Sequence, residues 1–544
     1  VNLPATGQTG VAPAATTTGT HASGDSTGVA PGAHASDDTT DMGLGPLPLS
    51  PAPAAPPRHP LLGKAPRALA VMLLLLAIPY ASPHLRQFRI VTAPWDRTSP
   101  EGATAEADET QAAPAPTPAP SEGEVVIGAT ENRGSVTNAL PTAAAPAVDV
   151  AELARLSGSV AIEDPTGHAL DAFFASLSKT EAREEGAVTR VLHYGDSIIT
   201  SDLVSGTLRR KFQARFGDAG HGFILIANPW EWYFHNDVVH TASEGWSVKR
   251  IVGPLARDGL YGLGGVSFHA ESAASAYFAT TDKGDFGTKV SRFDVYYLEQ
   301  PGGGDVMLTV PGKPAERLST RGPKRVSRVH SVAVPDGRAW LSLKTWGNGD
   351  TRLFGVAMER DVPGVAYDAL GANGARARLL SGMNGEHWRE QMALRKPALV
   401  ILQYGTNESE DPWSSSHAEA EYKKHLGALL EKVIAAADGA SVLVASPLDR
   451  AEREDGKLRT KPAVKKIVSA QREVALAHGC AFWSTFDAMG GEGAMARWVK
   501  TKPPLGSGDY THPTPAGADL VGDLFFKALM ASFEAYRVRL PTPP

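Results

Sequence analysis

Three short motifs place side chains with complementary chemistry along the chain: Gly195-Asp196-Ser197, Gly405-Thr406-Asn407-Glu408 and Asp509-Tyr510-Thr511-His512. A serine hydroxyl is a weak nucleophile near neutral pH unless a base removes its proton, and the base needs a partner that fixes its tautomer. Ser197 fits the nucleophile, His512 the base and Asp509 the orienting carboxylate. His512 and Asp509 lie three residues apart in a loop rich in Gly and Pro, so one turn can present both. Attack on an ester carbonyl creates an oxyanion, and each donor aimed at it is worth roughly 2.7 to 4 kcal/mol. Candidate donors are the Asn407 amide, the Ser197 backbone N–H and a backbone N–H of the 371–374 loop, assigned to Gly371 with Gly374 as the alternative.

Singly, each motif is a common turn. Their order and surroundings make them one site. Strand-like runs at 188–193 and 398–403 precede the first and third motifs, and a helix-like run at 515–536 follows the last. Ser197 therefore stands where a strand gives way to a loop, at the carboxyl edge where open α/β sheets bind ligands. Asp196 reads as structural, His193 as a packed strand residue and His221, in Gly220-His221-Gly222, as a candidate pocket residue. No zinc-type His/Cys spacing or phosphate-cradling glycine loop is present, so no metal or cofactor is expected.

Further strand-like and helix-like runs alternate at 418–437, 441–446, 462–478 and 481–486. Such alternation predicts a doubly wound, mostly parallel α/β sheet covered on both faces, flavodoxin-like in type. The 210 residues that separate Ser197 from Asn407 exceed what one such crossover needs. Between 237 and 357 the helical period vanishes, and short alternating runs are punctuated by Pro301-Gly302-Gly303-Gly304, Pro335-Asp336-Gly337 and Gly347-Asn348-Gly349-Asp350. This pattern predicts an inserted β-sandwich or jelly roll, either a carbohydrate-binding accessory module or a structural rim. The hydrolase part is accordingly expected in two segments, 151–236 and 358–540. Just before the insertion, Trp230, Trp232 and Tyr233 form an aromatic cluster that could stack on sugar rings or belong to the core.

With these blocks the chain resembles the SGNH/GDSL hydrolase superfamily over about residues 150 to 540. Ser197 matches the nucleophile block, Gly371 the second, Asn407 the third, and Asp509 with His512 the last. Ile198 replaces the usual Leu after the serine, and Glu408 the usual Asp after the asparagine; neither removes a catalytic atom. A G-D-S unit followed by a β-rich insertion is similar to bacterial peptidoglycan O-acetylesterases, which implies removal of acetyl groups from an envelope polysaccharide. An acyltransferase, a lipase or thioesterase on the same scaffold, and a non-catalytic envelope carbohydrate-binding protein are the alternatives.

The formal net charge of −6, with no basic face, argues against nucleic acid as a partner. The single cysteine, Cys480, begins an apolar run and reads as a core residue. Residues 1–63 are rich in Ala, Thr, Gly and Pro and are expected to be disordered, as is the linker at 87–150. Within 64–86, an apolar stretch at 68–82 is shorter than the ~20 residues that span a bilayer and reads as a signal-peptide core or, preferentially, an uncleaved signal anchor. The first residue is Val1, and Met42 would give a more usual lead into that stretch. These features predict a membrane-anchored or exported protein of the cell envelope, its catalytic part on the periplasmic side.

Overall fold

A computed structural model describes residues 160–413 and 415–540. The tail, apolar segment and linker expected within 1–150 lie outside the described residues, among which no helix is long and apolar enough to cross a membrane.

Five parallel strands form the central sheet: β1 (Val188–Gly195), β2 (Gly364–Gly371), β3 (Leu399–Gln403), β4 (Ser441–Ala445) and β5 (Ala481–Trp483). Their order is β2-β1-β3-β4-β5, the flavodoxin-like winding expected from the sequence. Every residue of β3 is buried, because the sheet is covered on both sides. Alternation then divides its side chains between two cores. Val400, Leu402, Val442 and Val444 join one, whereas Leu399, Ile401, Leu443 and Ala445 join the other.

Six longer helices flank the sheet: α1 (Asp171–Glu181), α2 (Leu203–Phe216), α3 (Gly385–Arg395), α4 (Ser416–Ala437), α5 (Pro462–Ala477) and α6 (Pro515–Arg539). Local chemistry sets their starts. The Ser415 side chain caps α4 by accepting from the Ala418 N–H, and Thr514 caps α6 by accepting from the Gly517 N–H. Pro462 and Pro515 occupy first-turn positions, where a missing N–H costs nothing. Phe173, Phe212, Val521 and Phe525 carry α1, α2 and α6 onto one face; Trp388, Leu429 and Val464 carry α3, α4 and α5 onto the other.

Between α2 and β2 the chain builds two antiparallel sheets. One has the strand order Val326–Gly337, Val290–Glu299, Thr351–Glu359, Val266–Ala270, Ser247–Arg250; the other runs Val238–Ala242, Ser275–Thr280, Trp340–Thr345, Asp305–Thr309, Glu316–Ser319. Phe268 and Val295 from the first and Phe278, Leu341 and Leu343 from the second belong to one buried cluster, as in a β-sandwich. Gly222–Leu225, which falls in the first hydrolase segment by sequence, pairs antiparallel with Thr351–Glu359, Leu225 opposite Gly355. The module is thus stitched into the chain before position 237.

Charged groups buried beneath the module tie it to the central sheet. Glu359, at the end of the module's last strand, accepts from Arg190 of β1 at 2.8 and 2.9 Å, from Arg292 at 2.8 Å and from Arg395 of α3. Arg395 also makes a two-pronged contact with Asp368 of β2 at 2.6 and 2.7 Å. Burial alone would raise the Glu359 carboxyl, but Arg395 and Arg190 outweigh it and hold the group well below the usual carboxylate range. Removing one partner strands the others in low dielectric, at a cost of about 3–5 kcal/mol. Arg395→Leu should therefore lower unfolding free energy by about that amount in denaturant melts, whereas an exposed change such as Lys424→Leu should stay within ~0.5 kcal/mol.

Candidate active site

β1 ends at Gly195, and the chain turns at once into the single helical turn Ser197–Thr200. Asp196 caps that turn, its Oδ1 accepting from the Ile198 N–H at 3.1 Å. The turn sits directly on the sheet edge because two strand ends lack a Cβ. A Cβ on Gly195 would lie 2.4 Å from the Ile199 side chain, and one on Gly371, its partner on β2, 2.1 Å from the Thr200 nitrogen. Ser197 is thus held at the carboxyl end of β1, the strand on whose two sides β2 and β3 wind in opposite directions.

The loop between the last short helix, Ala494–Trp498, and α6 brings His512 to this point. Its Nε2 lies 2.8 Å from Ser197 Oγ, across 315 residues of chain. Its Nδ1 lies 2.6 Å from Asp509 Oδ2, while the N–H groups of Thr511 and His512 donate to Asp509 Oδ1 at 2.9 and 3.0 Å. Burial would raise the Asp509 carboxyl, but the bonds from His512 and Thr511 outweigh it and keep the group below its usual range, hence ionised. An ionised Asp509 accepts a hydrogen bond from His512 Nδ1–H, which leaves the Nε2 lone pair facing the serine. That is the tautomer a base requires.

Asn407 follows β3, and its Nδ2 donates to the Ala375 carbonyl at 2.9 Å. Its loop is laced to 371–377 by two further contacts, Glu408 Oε1 accepting from the Ala377 N–H at 2.7 Å and Arg376 gripping Asp411 at 2.9 and 3.0 Å. Gly371 is buried under the serine turn, whereas Gly374 is exposed at the loop tip with a φ of +73°. Arg450, which no sequence motif marked, joins the base loop to the Asn407 loop. It donates to Thr511 Oγ1 at 3.1 Å, to the Thr406 carbonyl at 3.3 Å and to Ser409 Oγ at 3.0 Å, and pairs with Glu410. Its only sequence trace is a position just past β4.

The aromatic cluster divides. Trp232 is 61% exposed and lies nearly parallel to the His512 ring, at 6.4 Å and 26°. Trp230 is half-buried against the module's core. Tyr233, a sugar-stacking candidate by sequence, is instead a core residue: it is buried, accepts from the Leu225 N–H at 2.8 Å and is hydrogen-bonded to His235 Nε2 at 2.6 Å. The sequence could not separate these three because all are aromatic within four positions; the turn after Trp230 decides which face water. His221 is likewise buried, 2.9 Å from His235, and not open to a ligand. His193 is held between Tyr367 Oη and Gln403 Oε1, and burial pushes it down to about 3, so it stays neutral. Burial pushes the Cys480 thiol up to about 12, in keeping with an inert core cysteine.

Among the described residues, one cluster, Asp202, His221 and His235, has donor atoms close enough to share a metal. It does not suit a cation. Both Asp202 oxygens are taken by the buried Arg209 guanidinium at 3.0 and 2.6 Å, and Asp202 Oδ2 also accepts from the Asn236 N–H.

With this geometry in place, the comparisons become informative. The model of the GDSL-like lipase/acylhydrolase family matches residues 337–520. The matched stretch holds Gly371, Asn407, Asp509 and His512 but begins after Ser197, so the nucleophile's place in the site rests on the geometry. Among solved structures, a peptidoglycan O-acetylesterase shares the fold at a TM-score of 0.58 and 22% identity, over 69% of this chain and 99% of that one. An acetylxylan esterase from Geobacillus stearothermophilus aligns at a TM-score of 0.24 and 18% identity, over 30% of this chain and 73% of its own. A family two carbohydrate esterase from Clostridium thermocellum aligns at 0.24 and 10% identity, over 55% and 100%. No curated protein matches by sequence. The family match supports a carboxylic ester hydrolase, and the fold is that of an SGNH hydrolase.

The packing at Gly371 yields a direct expectation. Gly371→Ala should displace the Ser197–Thr200 turn and lower kcat by about 10², the order expected for a misplacement of ~1 Å. Steady-state kinetics on a small ester, beside a circular-dichroism check of folding, reads this; unchanged kcat would show that the turn does not depend on the absent Cβ.

Proposed function

We propose that Ser197, His512 and Asp509 act as a catalytic triad that removes O-acetyl groups from a cell-envelope polysaccharide, peptidoglycan above all. The observation that carries the chemistry is the continuous path Ser197 Oγ to His512 Nε2 at 2.8 Å and His512 Nδ1 to Asp509 Oδ2 at 2.6 Å. Ser197 Oγ attacks the acetyl carbonyl while its proton passes to His512 Nε2. The resulting oxyanion receives hydrogen bonds from the Asn407 amide and from backbone N–H groups of Ser197 and the Gly371 loop. His512 then returns the proton to the departing sugar hydroxyl and, neutral again, activates the water that hydrolyses the acetyl-enzyme.

The substrate class is supported by two features. The fold shared with a peptidoglycan O-acetylesterase extends over 99% of that protein and 69% of this chain. Trp232 offers an exposed aromatic face beside the base, where a sugar ring can stack. The apolar stretch at 68–82, as an export signal or anchor, would put the enzyme on the extracytoplasmic side, where such a polymer resides.

Acetate release from O-acetylated peptidoglycan by the full chain tests the reading. Ser197→Ala and His512→Ala should each lower kcat by about 10⁴ or more, and Asn407→Ala by about 10² to 10³. Full activity in the Ser197→Ala protein would refute the assignment, and release from small acetyl esters alone would remove the wall polymer as substrate. Trp232→Ala should raise KM for the polymer about tenfold, ~1.4 kcal/mol, and leave kcat on a small acetyl ester unchanged; equal effects on both substrates would show that Trp232 positions His512 rather than a sugar.

A further inference from the structure

Glu408 stands where the family pattern has an aspartate, and its carboxyl is provided for on one side only. The residue is 3% exposed; Oε1 accepts from the Ala377 N–H at 2.7 Å, and Oε2, buried, has no hydrogen-bond partner. The Trp413 indole donates to the Glu408 carbonyl at 2.8 Å and closes one wall of a cavity of about 220 Å³ that Ala377, Tyr422 and Leu426 also line. Neighbouring residues therefore grip the 371–377 loop in opposite senses. Asn407 donates to the Ala375 carbonyl, and Glu408 accepts from the Ala377 N–H. A buried carboxylate with so few donors is costly, whereas a neutral carboxylic acid can make the same bond to Ala377 without a buried charge.

We propose that Glu408 is a positioning residue: as a neutral acid it holds the 371–377 loop against Asn407 and so sets the oxyanion donors, and ionisation, which leaves a buried charge with Oε2 unmatched, draws the side chain out of that place. The proposal rests on the serine-esterase reading above. Titratable groups surround Glu408: Asp196 from the serine turn, Arg376, tied to Asp411, and Arg378 from the 371–378 segment, Glu421, Tyr422 and His425 from α4, Tyr404 from the end of β3, and, from α5 packed on the 408–410 turn, Lys466, which donates to the Trp413 carbonyl at 2.7 Å. Burial pushes the carboxyl up to about 7, with Asp196 adding to the effect and the Ala377 N–H and Arg376 opposing it. Burial also keeps the Tyr404 and Tyr422 phenols protonated. The change therefore falls in the neutral range. Between the ordinary value of 4.5 and about 7 the native state keeps a proton that the unfolded chain has released, so this group's contribution to stability falls as pH rises through that window.

The test measures kcat and KM of the full chain on p-nitrophenyl acetate from pH 5.5 to 9, for wild type, Glu408→Gln, Glu408→Ala and Ser197→Ala, with infrared spectra of the protonated-carboxyl band. In wild type, kcat should fall about tenfold from pH 6 to pH 8.5, and Glu408→Gln should keep the acid-side kcat and lose that limb. Glu408→Ala should lower kcat about 10- to 100-fold at every pH, with KM within about twofold, the range expected for misplaced catalytic groups. The band should be present at pH 6, vanish by pH 8.5 and be missing from Glu408→Gln. An alkaline limb identical in wild type and Glu408→Gln, or Glu408→Ala with reduced Tm and unchanged kcat, would overturn the proposal. Retained activity in Ser197→Ala would instead sink the esterase reading; the infrared band then decides whether Glu408 is a neutral acid, and its absence at pH 6 would end that idea too.

Discussion

A cluster of charges sealed between the two halves of the molecule is the constraint on which the remaining architecture rests. Glu359 closes the inserted module and sits a few residues before β2, and the three arginines that meet it come from β1, from the module and from α3. Arg395 extends the cluster to Asp368, whose other contact is the Phe223 N–H in the module's edge strand. Such a cluster has only one arrangement in which every charge is met, so it specifies how the sandwich docks as well as contributing to stability. Asp368 lies three residues before Gly371, and the docked register is transmitted along β2 to the place where the serine turn is seated.

The sheet and the chemical blocks were legible in the sequence because each has a local signature. Runs such as Leu399–Gln403 are apolar throughout, the mark of a strand buried on both faces, and Asp509 with His512 lie close enough to share one loop. Even the second block, weak as a pattern, acquires a physical reason, since only glycine allows Thr200 to approach so closely. What could not be read is whatever depends on long-range placement. Tyr233 and Trp232 are adjacent and alike, yet one is buried under Leu225 and the other faces solvent beside His512. Gly222–Leu225 looks like any short apolar run until its partner strand, some 130 residues away, is known. Arg450 carries no motif, because its role is to bridge two loops that meet only in three dimensions.

The insertion occupies the one crossover that leads from the nucleophile's strand to its neighbour β2. A module placed there lies close to the reactive edge without separating β1 from β2, which remain paired along eight residues. Its aromatic approach segment returns to the serine turn, the Phe234 N–H donating to the Thr200 carbonyl at 3.1 Å, and this contact holds Trp232 over the base loop.

Nucleophile and base come from positions 315 residues apart, with a complete two-sheet module wound between them. Contacts of that sequence separation form late, after loop closure has been offset by other structure. Synthesis therefore delivers Ser197 well before His512, and their contact needs the intervening module already in place. In the triad proposed above, ester cleavage waits on the last loop of the chain to be made.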